Sequence, residues 1–209
     1  MQVLRRRRIL TALFAVIGAA ILGWSLNVEP GTGWFYLATV TLAVTWAVSA
    51  VATGPVPLAP PGGRMSRRDV LLPVAAGLGL AGLFVVGGLI AREIAIIADA
   101  VDEVLVYARR ADLPLLLALT VVTGIAEELF FRGALYAAVP ASSGVAVSTA
   151  AYALATVASG NLVLGFAALV LGVVVGLERR ASGHLLAPIL THVTWSTTML
   201  LVLPAVFDG

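Results

Sequence analysis

The sequence predicts an all-α membrane protein, a polytopic transmembrane bundle of about seven spans with one amphipathic helix at the interface. The first observation is its composition: 60% of the 209 residues are hydrophobic, 11% are charged, and the mean hydropathy is +1.04. Soluble domains carry about 25% charged residues, so this chain lacks the polar surface that a soluble fold requires. The second observation is that the apolar runs are long and continuous, as helices of about 20 residues that cross a bilayer must be.

Seven apolar runs follow one another, separated by short polar turns or by turns rich in glycine and proline. We predict spans at about 9–26, 33–54, 70–90, 113–139, 145–158, 162–177 and 185–203. The fifth run is short enough to be miscounted as a full span. The segment 92–110 differs from these runs, because an apolar stripe at helical spacing alternates with charged residues. Such a pattern is typical of an amphipathic helix, lying at the membrane interface or extending the third span.

Arginine supplies all 13 basic residues, and its distribution predicts the orientation of the chain. With a cytosolic N-terminus, nine arginines (5–8, 64, 67, 68, 179 and 180) are inside, three (92, 109 and 110) are outside, and one is intramembrane. This bias follows the positive-inside rule and indicates an integral protein of a plasma membrane, bacterial in character, with its C-terminus outside. The clustered arginines are thus a topology signal, and we expect no nucleic-acid partner.

A linker rich in proline and glycine ends near residue 68 and suggests a division of the chain. We predict an N-terminal two-helix membrane hairpin with its cytosolic linker over 1–68, and a third span with the amphipathic helix over 69–112. A four-helix core follows over 113–209. The chain contains no cysteine, which excludes disulfides and thiolate chemistry.

Three ionisable residues interrupt the fourth apolar run: Glu127, Glu128 and Arg132. A charge at the centre of a span costs roughly 2.5–3.5 kcal/mol on insertion scales, so such residues suggest a functional site or else a structural ion pair. Glu128 and Arg132 are four residues apart and can pair on one helix face. Glu127 is rotated from Glu128 by about 100°. We expect it to remain a free carboxylate, suited to general acid or base catalysis.

Further polar residues are spaced so that they share helix faces in later spans. His192 and Ser196 are four apart in the last span, and Tyr152 and Thr156 are four apart in the fifth. We expect them to complete one buried polar site with Glu127. The competing interpretation is structural: the histidine simply hydrogen-bonds a neighbour, and the serine and threonine hydroxyls bond to carbonyls of their own helices.

The motif Glu-Glu-Leu-Phe-Phe-Arg at 127–132 resembles the EExxxR motif of the CPBP family, which comprises CAAX prenyl proteases and bacteriocin-processing or self-immunity proteins. The segment 183–192 is similar to the last motif of that family, in which a histidine is followed four residues later by asparagine. Tyr152-Ala-Leu-Ala-Thr156 falls where the family has FxxxH. The resemblance covers about residues 113–203.

This resemblance implies an intramembrane endopeptidase that cleaves a membrane-anchored peptide or protein. It assigns Glu127 as the base that activates a water, Glu128 and Arg132 as its support, and His192 as the oxyanion donor. It also implies a divalent metal such as zinc, since the family is customarily labelled as metalloproteases. A catalytic zinc ion usually takes three protein ligands plus water. Only Glu127, Glu128 and His192 could supply them, and because Glu128 is expected to bind Arg132, we expect no metal.

Two positions depart from the family pattern, because Thr156 replaces the second-motif histidine and Ser196 replaces the final asparagine. A hydroxyl group can bind water, but it cannot hold a proton near neutral pH as imidazole does. The alternative function is therefore a catalytically degenerate family member that binds another membrane protein, as a subunit or an immunity protein. A transporter or channel ranks last, since no inverted repeat or interrupted helix pair is evident.

Overall fold

The computed structural model describes residues 2–208, and the regular elements within that range are all helical, which confirms the all-α bundle. The eight α-helices of this range are α1 (Gln2–Ser25), α2 (Gly33–Thr53), α3 (Arg68–Ala91), α4 (Ala95–Arg110), α5 (Leu113–Glu128), α6 (Gly144–Val157), α7 (Leu162–Ser182) and α8 (Leu186–Asp208). Helix α5 continues without a break into a π-helix, Leu129–Leu135, and a 3-10 turn, Tyr136–Ala138.

Among the described residues, six helices are long and apolar enough to cross a membrane: α1, α2, α3, α5 with its continuation, α7 and α8. Helix α6 is apolar but has only 14 residues, and it corresponds to the fifth run of the sequence. The seven predicted spans therefore become six full-length spans and one shorter helix. Helix α4 buries Val101 and Leu105 and exposes Asp99 and Asp102, so the amphipathic helix is also confirmed.

The packing of the helices brings α5 to the centre of the bundle. Helix α1 packs against α2, α3 packs along α8, and α6 packs along α7, while α5 contacts both α2 and α8. The ring of Trp46 in α2 stacks on Phe130 with a centroid distance of 4.3 Å and lies 5.2 Å from Phe131. All three rings are at most 1% exposed. These aromatic contacts join the N-terminal hairpin to the segment that carries the charged residues.

The linker between α2 and α3 also returns to this segment. The amide of Leu185 donates to the carbonyl of Pro57 at 2.8 Å, and the amide of Leu186 donates to the carbonyl of Leu58 at 3.1 Å. These bonds satisfy amides at the start of α8, which has no intrahelical acceptors for them. Gly133 allows Val56 to approach closely, since a Cβ at this glycine would lie 2.9 Å from the valine Cγ1. The division of the chain into 1–68, 69–112 and 113–209 stays a prediction.

Helix α4 connects the ends of several membrane helices on the opposite side of the bundle. The Tyr107 hydroxyl donates to the carbonyl of Leu26 at 2.6 Å, and burial raises the pKa of this phenol. Asn161 donates to the carbonyl of Ala100 at 2.6 Å, and its side-chain oxygen accepts two amides from the first turn of α7. An N-cap of this kind stabilises a helix by about 1 kcal/mol. The polar groups of α4 therefore help to fix α1 and α7 relative to each other.

Candidate active site

A buried ion pair lies at the centre of the bundle. The Nη1 atom of Arg132 is 3.2 Å from Oε1 of Glu128, and both side chains are fully buried. The Nη2 atom donates to the carbonyl of Gly172 at 3.1 Å, and the guanidinium carbon lies 5.0 Å from the ring centroid of Tyr152. Burying a charge is costly unless it is paired and hydrogen-bonded. Here a carboxylate, a carbonyl and an aromatic face surround the cation, so the pair is held firmly.

Gly172 is necessary for this arrangement because Arg132 approaches the backbone of α7 so closely. A Cβ at Gly172 would lie 3.1 Å from Nη2 of Arg132 and 3.0 Å from Cγ2 of Thr149. Contacts of this length are tighter than those of most real Cβ atoms. A side chain at this position would therefore push the guanidinium away from the carbonyl that it binds.

The backbone changes from an α-helix to a π-helix immediately after Glu128. Arg132 lies within the π-helical segment, together with Phe130 and Phe131. Single π-helical turns inside α-helices are rare, and those that do occur are often found at functional sites. The Nε atom of Arg179 in α7 donates to the backbone carbonyl of Arg132 at 3.0 Å. The irregular turn is thus held from outside by a side chain of a neighbouring helix.

His192 in α8 meets both carboxylates of α5. Its Nδ1 is 2.8 Å from Oε1 of Glu128, the same oxygen that binds Arg132. Its Nε2 lies 3.7 Å from Oε2 of Glu127, which is longer than a hydrogen bond. Gly124, one turn before Glu128, faces the ring, and a Cβ there would be in ordinary van der Waals contact with the imidazole Cδ2 at 3.5 Å. His192 is 4% exposed, so its imidazole is almost completely buried.

Glu127 has a different environment from Glu128, as the 100° rotation between them predicts. Its Oε2 accepts a hydrogen bond from the hydroxyl of Tyr152 at 2.9 Å. Its side chain is 13% exposed, whereas that of Glu128 is completely buried. The Glu128 carboxylate therefore binds Arg132 and His192 through Oε1, while its Oε2 is buried without a partner among the described residues. The Glu127 carboxylate is partly accessible and is bound on one oxygen by a phenol. A carboxylate of the second kind is available to exchange a proton with a reacting group.

The two hydroxyl residues that replace family histidine and asparagine bond to their own helices. Thr156 donates to the carbonyl of Tyr152 at 2.9 Å, and Ser196 donates to the carbonyl of Val193 at 3.3 Å. On α6 the residue that contacts Glu127 is Tyr152, one turn before Thr156. Of the residues predicted from the sequence, the structure brings five together in one cluster: Glu127, Glu128, Arg132, Tyr152 and His192.

The acidic and imidazole groups of this cluster do not suit a metal ion. Among residues 2–208, no group of three or more His, Asp or Glu side chains is placed to hold one. Glu128 binds Arg132 and His192 through one oxygen, so the third ligand that zinc needs is already neutralised by a guanidinium. The residues present do not fit the zinc that the family label implies.

Sequence reasoning did not assign two residues that support the cluster, Gly172 and Arg179. Gly172 belongs to a Gly-xxx-Gly pair with Gly176, which signals close helix contact in membranes but not a role in binding an arginine. Arg179 is one of the nine arginines whose distribution predicts a cytosolic N-terminus. Neither signal could indicate contact with Arg132, which lies 40 residues from Gly172 and 47 residues from Arg179 in the chain.

The segment that contains the cluster matches a known protein family. Residues 109–198, the segment that contains all five residues of the cluster, match the family model described as type II CAAX prenyl endopeptidase Rce1-like. No curated protein and no solved structure matches the chain. This match confirms the motif resemblance to the CPBP family over residues 109–198.

Proposed function

We propose that this chain is an intramembrane endopeptidase that hydrolyses a peptide bond of a membrane-associated substrate with a water activated by Glu127. The observation that supports it most strongly is the convergence of Glu127 and His192, whose Oε2 and Nε2 atoms are 3.7 Å apart. They meet beside a buried Glu128–Arg132 pair inside a segment that matches a family of CAAX prenyl endopeptidases. The substrate class proposed is a membrane-anchored peptide or protein, prenylated or not.

In the proposed reaction Glu127 is the general base. Its carboxylate takes a proton from water while the water oxygen forms a bond to the carbon of the scissile carbonyl, which becomes an oxyanion. The same carboxyl group then returns the proton to the amide nitrogen as the carbon–nitrogen bond breaks. The hydroxyl of Tyr152 donates to Oε2 of Glu127 and so orients the carboxylate, leaving its other oxygen to handle the proton.

His192 is proposed to stabilise the oxyanion. Because its Nδ1 faces the Glu128 carboxylate at 2.8 Å, the proton on that nitrogen is held there. The Nε2 atom can donate a hydrogen bond only when the imidazole carries both protons. In that form the two carboxylates, the guanidinium of Arg132 and the imidazolium sum to zero formal charge. Such charge balance favours burial, and a donor fixed in a dry site is suited to a developing negative charge.

The test uses purified protein in lipid nanodiscs and two probes, a farnesylated peptide with a CAAX C-terminus and the same peptide with an acyl anchor instead. Cleavage products are measured by mass spectrometry. Glu127→Ala and Glu127→Gln are each expected to lower the rate by on the order of 100-fold or more, since general acid–base catalysis contributes roughly 10²–10⁴-fold. Glu29→Gln, which alters an exposed loop carboxylate, is the control and retains the rate. Undiminished cleavage by Glu127→Ala protein would refute the proposal.

The alternative is a catalytically degenerate member that holds a partner membrane protein. It is supported by the hydroxyls of Thr156 and Ser196, which bond to their own helices instead of facing the carboxylates. This function predicts stable co-purification with one membrane protein and a biological role that survives Glu127→Gln. Loss of that role in a variant that still keeps its partner would contradict it.

We also propose that the N-terminus and the linker 54–67 face the cytosol and that the C-terminus lies outside. The support is the arginine distribution described above, with nine arginines inside and three outside. In this orientation Arg179, which binds the π-helical turn, lies toward the cytosolic end of α7. The site would then be reached most directly from the cytosolic leaflet.

A further inference from the structure

A third carboxyl group, that of Glu178, lies partly buried near the site, in the last turns of α7. The Oε1 atom of Glu178 is 2.7 Å from the hydroxyl oxygen of Thr191, and its Oε2 atom is buried with no hydrogen-bond partner among the described residues. Thr191 is fully buried and immediately precedes His192 in α8. The proposed reaction makes no use of Glu178, so the placement of this carboxyl group against a buried threonine requires another explanation.

The hydroxyl of Thr191 connects three helices at one point. Besides Glu178 of α7, it lies 3.0 Å from the backbone carbonyl of Pro73 in α3. A hydroxyl has one hydrogen to donate. Either Thr191 donates to Glu178, or a protonated Glu178 donates to Thr191, which then donates to Pro73. Only the second arrangement gives the hydroxyl a hydrogen bond on both sides, but in either one a hydrogen bond joins Thr191 to Glu178. Rotation of α8 about its axis would break that bond.

This restraint acts directly on His192 because the two residues are adjacent on α8. The radius of a helix with its side chains is about 5–6 Å, so a rotation of 10° moves a side-chain atom by about 1 Å. The Nδ1 atom of His192 must stay within hydrogen-bond distance of Glu128, to which it is now 2.8 Å. A displacement of about 1 Å would lengthen this bond beyond its useful range.

The neighbouring residue of α7 restrains the other half of the site. Arg179 donates to the carbonyl of Arg132 at 3.0 Å, within the π-helical continuation of α5. Consecutive residues of one helix turn therefore reach α8 and α5, the two helices that contribute His192 and the paired glutamates. The end of α7 is placed to set the distance between the imidazole and the carboxylates.

We propose that Glu178 is a positioning residue for the peptidase reaction, which orients His192 through Thr191. This inference rests on the proposed function for its catalytic consequence but not for its structural one. Among the described residues, the side chain of Glu178 hydrogen-bonds to Thr191 and to none of the five residues of the cluster, so its carboxyl group serves as a hydrogen-bond partner. An amide at this position keeps a donor and an acceptor, so it should substitute for the acid, whereas an aliphatic side chain should not.

The test combines a structural readout with a kinetic one. The chain contains two histidines, so selective ¹⁵N labelling of the imidazoles gives a simple NMR spectrum, and His192→Gln identifies the signals that belong to the other histidine. We expect the ring nitrogen signals of His192 to shift or split in Glu178→Leu and to stay unchanged in Glu178→Gln. On the cleavage probes, Glu178→Leu should lower kcat by about 10–100-fold with little change in KM, because a misplacement of about 1 Å can cost on the order of 100-fold.

Thr191 offers a matched pair on the other side of the contact. Thr191→Val removes the hydroxyl and should reproduce Glu178→Leu, whereas Thr191→Ser keeps the hydroxyl and should resemble the parent protein. Thr198→Val is the control on the same helix, because that hydroxyl bonds only to the carbonyl of Thr194 at 2.7 Å. If Thr191→Val fails to fold, the Glu178→Gln and Glu178→Leu pair carries the test by itself.

The two readouts separate this inference from the proposed function. If His192 signals are the same in Glu178→Leu and in the parent protein, the positioning role is refuted, whether or not cleavage changes. If neither probe is cleaved by any form of the protein, the peptidase proposal fails, yet the signals of His192 still decide whether Glu178 orients it.

Discussion

Replacing Arg132 by methionine would leave the Glu128 carboxylate buried without its guanidinium partner. Methionine is of similar length, so the change removes the charge and its hydrogen bonds with little loss of volume. Glu128 would keep His192 at 2.8 Å, but the contact at 3.2 Å to the cation would be gone, and the carbonyl of Gly172 would lose its donor. Removing one partner of a buried ion pair costs about 3–5 kcal/mol. We expect the free energy of unfolding to fall by that amount.

The double variant Glu128→Leu with Arg132→Met removes both charges together. Replacing a buried pair by apolar side chains of similar volume is often neutral or stabilising. His192 loses its hydrogen-bond partner in the double variant, which costs about 1 kcal/mol. We therefore expect the double variant to be more stable than Arg132→Met alone, with a coupling energy between the two positions of at least about 2 kcal/mol.

The assay is reversible unfolding in mixed micelles of increasing dodecyl sulfate fraction, followed by the fluorescence of the four tryptophans. Arg92→Met is the matched control. Arg92 lies 3.2 Å from Glu93 and donates to the carbonyl of Val206 at 3.1 Å, nearly the same distances as for Arg132, but its side chain is 38% exposed and that of its partner is 73% exposed. An exposed pair contributes about 0–1 kcal/mol, so Arg92→Met should have little effect.

The reasoning fails if Arg132→Met and Arg92→Met destabilise the protein equally. It also fails if the effects of Glu128→Leu and Arg132→Met simply add in the double variant, because independent contributions would mean that the two side chains do not depend on each other.

Three further predictions concern packing and orientation. Gly172→Ala should lower the free energy of unfolding by about 1–3 kcal/mol, because the new Cβ displaces the guanidinium that binds the Gly172 carbonyl. Gly79→Ala, with nothing within 4 Å of the new Cβ, should be neutral or slightly stabilising. Equal effects of the two variants in the unfolding assay would contradict this prediction. Trp46→Ala should cost up to about 3–5 kcal/mol because the ring is 1% exposed, whereas Trp34→Ala, at 65% exposure, should cost little; similar unfolding midpoints would argue against a packed hairpin. Because the chain has no cysteine, Ser66→Cys gives a single thiol in the linker. A membrane-impermeant maleimide should label this thiol only after the membrane is opened. Labelling of intact cells would show that the linker lies outside and would contradict the proposed orientation.

The sequence predicted one contact of the site, which is local to α5, and did not predict another, which joins α5 to α8. The Glu128–Arg132 pair could be expected because an i, i+4 spacing is local to one helix. Helix spacing also predicted one polar site shared by Glu127 and His192, and Nε2 of His192 does lie 3.7 Å from Glu127. It did not predict that Nδ1 of the same ring would bind Glu128, 64 residues away in the chain. Such a choice depends on how α8 is rotated against α5, and rotation is set by contacts such as that between Thr191 and Glu178.

The hydroxyl residues show the same limit. Tyr152 and Thr156 share a face of α6, and spacing alone could not decide which of them would reach Glu127. The phenol reaches it because it is long enough to cross between helices, while the threonine hydroxyl is short and bonds to its own backbone.

By itself the sequence determined the membrane character of this protein, its helical segments and the local pairing of charges on one helix, because hydrophobicity and the helical repeat act over neighbouring residues. Only the tertiary structure decided which side chains from separate helices meet, since the contacts of Arg132 with Gly172 and of Tyr152 with Glu127 join positions 40 and 25 residues apart. These contacts depend on helix rotation, on a π-helical turn and on glycines that allow close approach. A pattern of apolar residues does not determine the rotation of one helix relative to another.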